Sequence, residues 1–342
     1  MRVSNREDLP ELLYTALAEN RPPVPGEIHV TQLISPVLCD VLRRNFWSAL
    51  EEDASERMFR LMGKGLHAAI ANDGRIEHVR KVLTDVVKDF HAMDPDIVWT
   101  VLQDLLKALD SLNRFGIESN LELDIAGWHL VGTDDHYDEA LAKVMDWKCT
   151  TVWSIIFNDH NWEEQLNIYA YIRRKLGYEV KSLEVWTLLR DWQKNKAKWG
   201  HDPKYPKVPF ARVELPLWTV ERQEKYILER LDLFTKVIDG DIKAPECTPK
   251  EKWQSPTQYK VMKKGKKTAE IATIYNPAKE KREPILSVAE ALEAASAKKL
   301  KVDGENIYVQ EFPGMDKRCE DYCVVNVFCP YYKPFVGDRP DE

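Results

Sequence analysis

The segment Gly127–Trp153 reads GWHLVGTDDHYDEALAKVMDWKCTTVW, and it holds the most informative pattern in this chain of 342 residues. Two runs of strand-forming residues, 127–133 and 141–148, flank the polar sequence DDHYDE, which predicts an antiparallel hairpin with DDHYDE as its turn. Because side chains two apart on a strand share a face, Asp146 and Lys148 point the same way. A buried carboxylate and ammonium are costly unless they pair or hold a metal, so this strand is a candidate site.

A second carboxylate, Asp135, lies at the end of the preceding strand and can reach the same place. Hard cations such as Mg²⁺ or Mn²⁺ take oxygen ligands of this kind. A bound cation activates water and stabilises charge on a phosphate in transit, and Lys148 would hold the attacking hydroxide or the developing charge. An isolated Asp-x-Lys is more typical of a surface ion pair, so the interpretation depends on further motifs.

Those further motifs follow in a fixed order along the chain. Gly63-x-x-x-His67 opens an apolar helical stretch, Gly132-x-x-Asp135 and Asp146-x-Lys148 come next, and Gln165-x-x-x-Tyr169 closes the series. Gln165 and Tyr169 are four apart on a predicted helix and therefore lie on one face. In this order the motifs resemble those of the RecB-like branch of the PD-(D/E)XK nuclease superfamily, over residues 28–185.

The resemblance implies an α/β fold with a restriction-endonuclease-like core, in which a central mixed sheet is flanked by helices. It implies a metal site and its neighbours as follows: His67, Asp135 and Asp146 as metal ligands, Lys148 as the catalytic lysine, and Gln165 and Tyr169 as residues that position the DNA backbone. Asp135 is preferred to Asp134 because it falls three after Gly132, although a register one residue off is the alternative. For His67 the alternative is a helix histidine satisfied by a core hydrogen bond.

The chain divides into three predicted parts. Residues 1–27 form an N-terminal arm, 28–240 the nuclease core with a helical insertion at about 75–114, and 241–342 a small α/β module with a cysteine cluster. Within the core, the basic and aromatic loop 191–209 is either a contact for single-stranded DNA or a solvated charged loop.

Composition and charge restrict where the protein works and what it meets. The net charge of −7 excludes a protein surface that is basic throughout, so any DNA contact must be a local basic patch. No apolar run follows the first residues and none approaches the roughly 18 residues that span a bilayer. We therefore expect no membrane contact and a place in the cytoplasm, and the resemblance implies the cytoplasm of a bacterial or phage-infected cell.

Three of the six cysteines cluster near the C-terminus as Cys319-x3-Cys323-x5-Cys329. Three thiols within eleven residues of a cytosolic protein indicate a metal site, and Cys247 or Cys39 would supply the fourth ligand. Four thiolates suit a [4Fe–4S] cluster or a structural Zn²⁺. Several RecB-like nucleases carry such an iron–sulfur cluster, which favours iron here. Cys39 matches the family position of the fourth ligand better, but Cys247 is preferred because it lies in a polar, proline-flanked turn.

These motifs together predict a Mg²⁺- or Mn²⁺-dependent deoxyribonuclease, an exonuclease acting on single-stranded or frayed DNA ends. Two other functions remain open at this stage: a DNA-end-binding adaptor that does not cleave, and a structure-specific endonuclease. The predicted partners are DNA and, through the resemblance, a helicase or recombination protein.

Overall fold

The computed structural model describes residues 1–71, 115–157, 160–200, 203–276 and 281–334. The chain splits into two compact units, Met1–Ala244 and Pro245–Glu342. The helical insertion predicted at about 75–114 lies outside the described residues.

The first unit is built on a six-stranded mixed sheet. Its strands are β2 (Glu27–His29), β4 (Phe115–Ile125), β5 (Trp128–Asp138), β6 (Lys143–Thr150), β7 (Ser182–Leu189) and β8 (Phe210–Leu215). They follow the order β2-β5-β6-β7-β8, with β4 paired to β5 as well; β2 runs parallel to β5 and β6 parallel to β7, and the other pairs are antiparallel. A separate parallel pair joins β1 (Arg2–Ser4) to β3 (Glu51–Asp53).

Helices flank this sheet, as the predicted α/β fold requires. They are α1 (Glu11–Ala18), α2 (Val30–Leu33), α3 (Val37–Phe46), α4 (Met58–Ala71), α5 (Val152–Phe157), α6 (Trp162–Lys175), α7 (Lys194–Trp199) and α8 (Val220–Ile238). Leu166 and Ile172 of α6 and Phe234 of α8 are fully buried in one core together with Val144 and Val185 of the sheet. The prediction of a central mixed sheet flanked by helices is confirmed.

The predicted turn DDHYDE is not a turn. Strand β5 continues to Asp138, so that Asp134 to Asp138 belong to the strand, and the reversal comes at residues 139–142. This acidic stretch stays extended because β4 pairs with β5 along nearly its whole length and because the charges find partners in the fold. Asp135 therefore projects from within a strand.

The second unit contains β9 (Gln258–Lys263), β10 (Thr273–Asn276), β11 (Lys281–Pro284), β12 (Ile307–Phe312) and the helices α9 (Val288–Ala297) and α10 (Lys317–Asp321). Here β9 pairs with β12, and β10 with β11, both antiparallel. After β9 the chain turns at Gly265, which has a positive φ, and returns to β9 at the bridge Val261–Ile271. Among the described residues of either unit, no helix is long and apolar enough to cross a membrane.

Candidate active site at a split in the sheet

Strands β5 and β6 separate beside the acidic residues, and we call this place the β5–β6 split. Their ladder comprises the pairs from Asp138–Lys143 to His136–Met145. One residue further on, the Asp135 side chain fills the opening, and its Oδ2 accepts a hydrogen bond from the backbone N–H of Trp147 at 2.8 Å. The carboxylate thus replaces a strand partner, which holds Asp135 between the two strands.

His67 reaches the same split from helix α4. Its Nδ1 lies 3.2 Å from Oδ1 of Asp135, and its Nε2 lies 3.0 Å from the carbonyl oxygen of Trp147. Both neighbours are acceptors, so both ring nitrogens donate only when the imidazole is protonated. The hydrogen bond to Asp135 accordingly raises the pKa of His67. A cation that binds one ring nitrogen would take the place of that proton.

Asp146 is 2% exposed and lies beside Lys148. The Lys148 ammonium lies 3.0 Å from Oδ1 and 2.8 Å from Oδ2, but only the contact to Oδ1 has hydrogen-bond geometry. Oδ2 of Asp146 is buried without a hydrogen bond from any residue that the structure describes. Burial raises the pKa of Asp146 to about 6, against the opposing effect of Lys148 and with a further rise from the charge of Asp135.

Gln165 and Tyr169 lie on the buried side of helix α6. The Gln165 amide donates to the Tyr169 hydroxyl at 3.2 Å, and burial followed by the charges of Asp146 and Asp135 raises the pKa of Tyr169. Gly132 of β5 allows this approach: a Cβ at that position would lie 2.8 Å from Cε1 of Tyr169. The glycine of the Gly132-x-x-Asp135 motif therefore has a packing role.

The neighbouring Asp134 faces the opposite side of the strand and is fully buried. Its two oxygens accept hydrogen bonds from Nε and Nη2 of Arg173, each at 2.8 Å. Sequence reasoning missed Arg173. The spacing could have indicated it, because Arg173 follows Tyr169 by four residues just as Tyr169 follows Gln165.

The donors at the split suit a hard divalent cation. Two carboxylates and an imidazole come from His67, Asp135 and Asp146, and the buried Oδ2 of Asp146 offers lone pairs that no hydrogen bond uses. Within the described ranges, however, no three His, Cys, Asp or Glu side chains are already drawn together as a ligand set. Cation binding at this place would replace the proton between His67 and Asp135 and draw Asp146 into the same ligand set.

The four cysteines of the C-terminal unit are tied into one neighbourhood. Burial raises the pKa of Cys319 to about 11, and the nearby Asp316, Cys323 and Cys247 add to the rise. Asn326 connects the three clustered cysteines through the backbone: its side-chain amide donates to the carbonyl of Cys319, its N–H donates to the carbonyl of Cys323, and its own carbonyl accepts from the N–H of Cys329. Sequence reasoning missed Asn326, whose role depends on this turn.

The two remaining cysteines lie in the first unit. Cys39 is half-buried on α3, and Cys149 is half-buried on β6. The turn that carries Cys247 is joined to the clustered cysteines by Arg318, whose N–H donates to the carbonyl of Lys252 at 3.0 Å. The four thiols of the C-terminal unit have the donor chemistry of iron–sulfur and zinc sites. Among the described residues, they are not arranged as a ligand set.

The basic loop 191–209 divides into internal and exposed aromatic residues. Trp192 donates its indole N–H to the carbonyl of Pro206 at 2.8 Å, and the Tyr205 hydroxyl accepts from the N–H of Gln193. Trp199 is 70% exposed, with the Lys198 ammonium 4.8 Å from its ring centroid. Two of the three aromatic residues therefore stabilise the loop itself.

No family model matches the chain, and no curated protein matches it. Among solved structures it is similar to SSO0001, with a TM-score of 0.33 and 14% identity, covering 71% of this chain and 88% of that one. It is also similar to a phage-related exonuclease from Haemophilus somnus 129PT, with a TM-score of 0.26 and 9% identity, covering 48% of this chain and 82% of that one.

Proposed function

We propose that this chain is a metal-dependent DNA nuclease of the RecB-like PD-(D/E)XK type, which hydrolyses phosphodiester bonds at single-stranded or frayed DNA ends. One observation carries the proposal. Four residues from three separate motifs, His67, Asp135, Asp146 and Lys148, meet at the β5–β6 split, although they are spread over more than eighty positions of the sequence.

Each residue has a role that its position supports. Asp135 and Asp146 would hold Mg²⁺ or Mn²⁺ together with His67, and the ion would supply an activated water and positive charge toward the phosphate. Lys148 is 26% exposed at its side chain, so its ammonium can leave Asp146 and meet the charge that develops on the phosphate oxygens. Tyr169, held by Gln165, lies near enough to Asp146 and Asp135 for their charges to raise its pKa, and by the resemblance this pair would position the DNA backbone.

The C-terminal cysteines form a second part of the proposal. A [4Fe–4S] cluster, or a zinc ion, would be held by Cys247, Cys319, Cys323 and Cys329. It would cross-link the segments of the C-terminal unit that carry these cysteines. The hydrogen bond from the N–H of Arg318 to the carbonyl of Lys252 joins the turn of Cys247 to the clustered cysteines, which supports Cys247 as the fourth ligand in preference to Cys39. A helicase or recombination partner remains a prediction from the resemblance alone.

A divalent-cation titration with an end-labelled oligonucleotide tests the proposal. We expect the wild-type protein to release labelled mononucleotides or short products when Mg²⁺ or Mn²⁺ is added, and to release none in EDTA. Binding without cleavage across the titration would identify the chain as a DNA-end-binding adaptor. Cleavage of circular single-stranded DNA at the rate of linear DNA would identify an endonuclease.

A further inference from the structure

The carboxyl ends of β6 and β7 carry a surface that the proposed chemistry does not use. The N–H of Arg190, directly after β7, donates to the carbonyl of Thr150 at 2.9 Å. The Asp191 carboxylate accepts from the N–H of Val152, the first residue of α5, at 2.7 Å. Helix α5 and Arg190 are therefore held side by side, immediately beyond the end of the strand that carries Asp146 and Lys148.

Helix α5 exposes two stacked aromatic rings at this place. Trp153 is 50% and Phe157 is 68% exposed, and their rings stack with centroids 5.5 Å apart and planes 15° apart. Val152 is buried on the other side of the helix, so α5 is anchored while these rings face outward. We call Trp153 and Phe157 the aromatic platform. Burial of two such rings would stabilise the fold, so their joint exposure beside a candidate active site points to a ligand.

The end of β7, which is bonded to the start of α5, carries a cationic group that contacts a third aromatic ring. The guanidinium of Arg190 lies 3.9 Å from the ring centroid of Phe59, which is 61% exposed on α4. Phe59 precedes His67 on the same helix by eight residues, which corresponds to about 12 Å along the axis. Arg190 and Phe59 thus connect the end of β7 to the helix that carries the candidate metal ligand.

We propose that the aromatic platform and Arg190 bind the unpaired bases and backbone of a single DNA strand and lead it to the β5–β6 split. Unpaired bases offer free π-faces to Trp153 and Phe157, whereas the faces of paired bases are already covered by their neighbours. Arg190 supplies positive charge for a phosphate in a chain whose net charge is −7. This inference rests on the proposed function for the fate of the strand, but the binding itself does not require cleavage.

Fluorescence anisotropy with labelled oligothymidylate, measured in EDTA so that cleavage does not occur, tests the platform. We expect the wild-type protein to bind the single strand more tightly than a blunt duplex of equal length. Trp153→Ala should weaken single-strand binding about tenfold, because one lost base stack accounts for an effect of this size. Trp153→Phe should retain most of the affinity, and Trp153→Leu should not, since leucine keeps the bulk without the π-face.

Trp199→Ala is the matched control, because Trp199 is also an exposed tryptophan but lies on α7 in the basic loop. It should leave the affinity within twofold of wild type. Arg190→Gln should reduce the slope of log affinity against log salt concentration by about one, which corresponds to one released counterion. The side chain of Trp153 is exposed, so the melting temperature of Trp153→Ala should match that of wild type.

Two results would overturn the inference. One is equal affinity of the wild-type protein for the single strand and the duplex. The other is single-strand binding that neither Trp153→Ala nor Phe157→Ala changes. That result would overturn the inference even if Trp199→Ala weakened the binding. Neither depends on nuclease activity: a wild-type protein that binds as described but does not cut under Mg²⁺ or Mn²⁺ would retain the platform and remove the proposed function.

Discussion

At the scale of single residues, the buried ion pair of Asp134 and Arg173 shows how the strand tolerates consecutive aspartates. Burial raises the pKa of Asp134, and the Arg173 guanidinium opposes that rise. The Asp134 carboxylate is therefore used in a buried ion pair, and Asp135 is the aspartate that lies at the β5–β6 split. The two residues are adjacent in sequence but have different environments, because alternate side chains of a strand face opposite sides.

Arg173→Ala should destabilise the protein by about 3–5 kcal/mol, since it leaves the fully buried Asp134 carboxylate without its partner. Urea unfolding followed by far-UV circular dichroism measures the change. Lys175→Ala is the control on the same helix: its ion pair with Glu224 is exposed and 3.8 Å long, so the effect should stay below about 0.5 kcal/mol. Equal stability of the two variants would contradict this role of Arg173.

Gly132→Ala should lower both stability and cleavage. The added Cβ would meet Cε1 of Tyr169 at 2.8 Å and Cγ2 of Val30 at 2.9 Å, so Tyr169 or the strand must shift, at a cost of about 1–3 kcal/mol. Thermal unfolding and the cleavage rate measure the two effects. Thr133→Ala changes the neighbouring exposed residue and should change neither by a comparable amount.

At the scale of elements, the start of the helical segment that carries His67 depends on Asp53. Its carboxylate accepts from the N–H of Arg6 at 2.8 Å, from the N–H and hydroxyl of Ser55 at 3.1 and 2.7 Å, and from the hydroxyl of Ser4 at 2.9 Å. These bonds, led by that from Arg6, hold the pKa of Asp53 well below its usual range. One side chain therefore joins β1 to the turn that precedes α4.

Asp53→Ala should lower the melting temperature at pH 7. A depressed pKa in the folded state stabilises the protein above the pKa of the unfolded chain, and this stabilisation is lost as the pH falls through the folded value. The difference in melting temperature between wild type and variant should accordingly shrink as the pH is lowered below about 4. A difference that stays constant from pH 7 to pH 3 would contradict the assigned hydrogen bonds.

Patterns of the sequence predicted β6 and the first part of β5, but not the full length of β5. Alternation of apolar residues marks Trp128–Val131 as a strand, and DDHYDE has the composition of a turn. The strand continues because β4 pairs with it. In addition, Arg173 neutralises the carboxylate of Asp134, and the N–H of Trp147 donates to the carboxylate of Asp135. These partners lie at least twelve residues away in sequence, so local propensity does not contain them.

Short sequence patterns contain the motif residues, but they do not contain the contacts of Arg173 and Asn326. His67, Asp135, Asp146 and Lys148 appear in short patterns whose order resembles a known family. Asn326 acts through backbone bonds to Cys319, Cys323 and Cys329, which exist only once the turn is formed. Gly132 was noted as a spacing marker, whereas its packing against Tyr169 required the fold.

At the scale of the whole molecule, the C-terminal unit has a small apolar core of Val261, Ile271, Ile285, Ala291 and Ala295. A core of this size gains stability from a bound metal or cluster. The proposed cysteine site would supply that stabilisation. The first unit has a larger core of its own and does not need it.

Cys247→Ser should lower the iron or zinc content of anaerobically purified protein, and Cys39→Ser should leave it unchanged. Elemental analysis and the absorption spectrum distinguish iron from zinc, since a thiolate-bound iron cluster is coloured and zinc is not. Loss of metal in Cys39→Ser with retention in Cys247→Ser would reverse the choice of the fourth ligand. A metal-free wild-type protein, prepared anaerobically, would remove the cluster from the proposal.

The most direct test of the β5–β6 split as an active site is the cleavage rate of Asp146→Ala on end-labelled linear single-stranded DNA in Mg²⁺ or Mn²⁺, with melting temperature and binding in EDTA measured on the same preparation. We predict that wild type cleaves, and that the variant folds and binds the strand but does not cleave. Cleavage by Asp146→Ala at the wild-type rate would contradict the assignment.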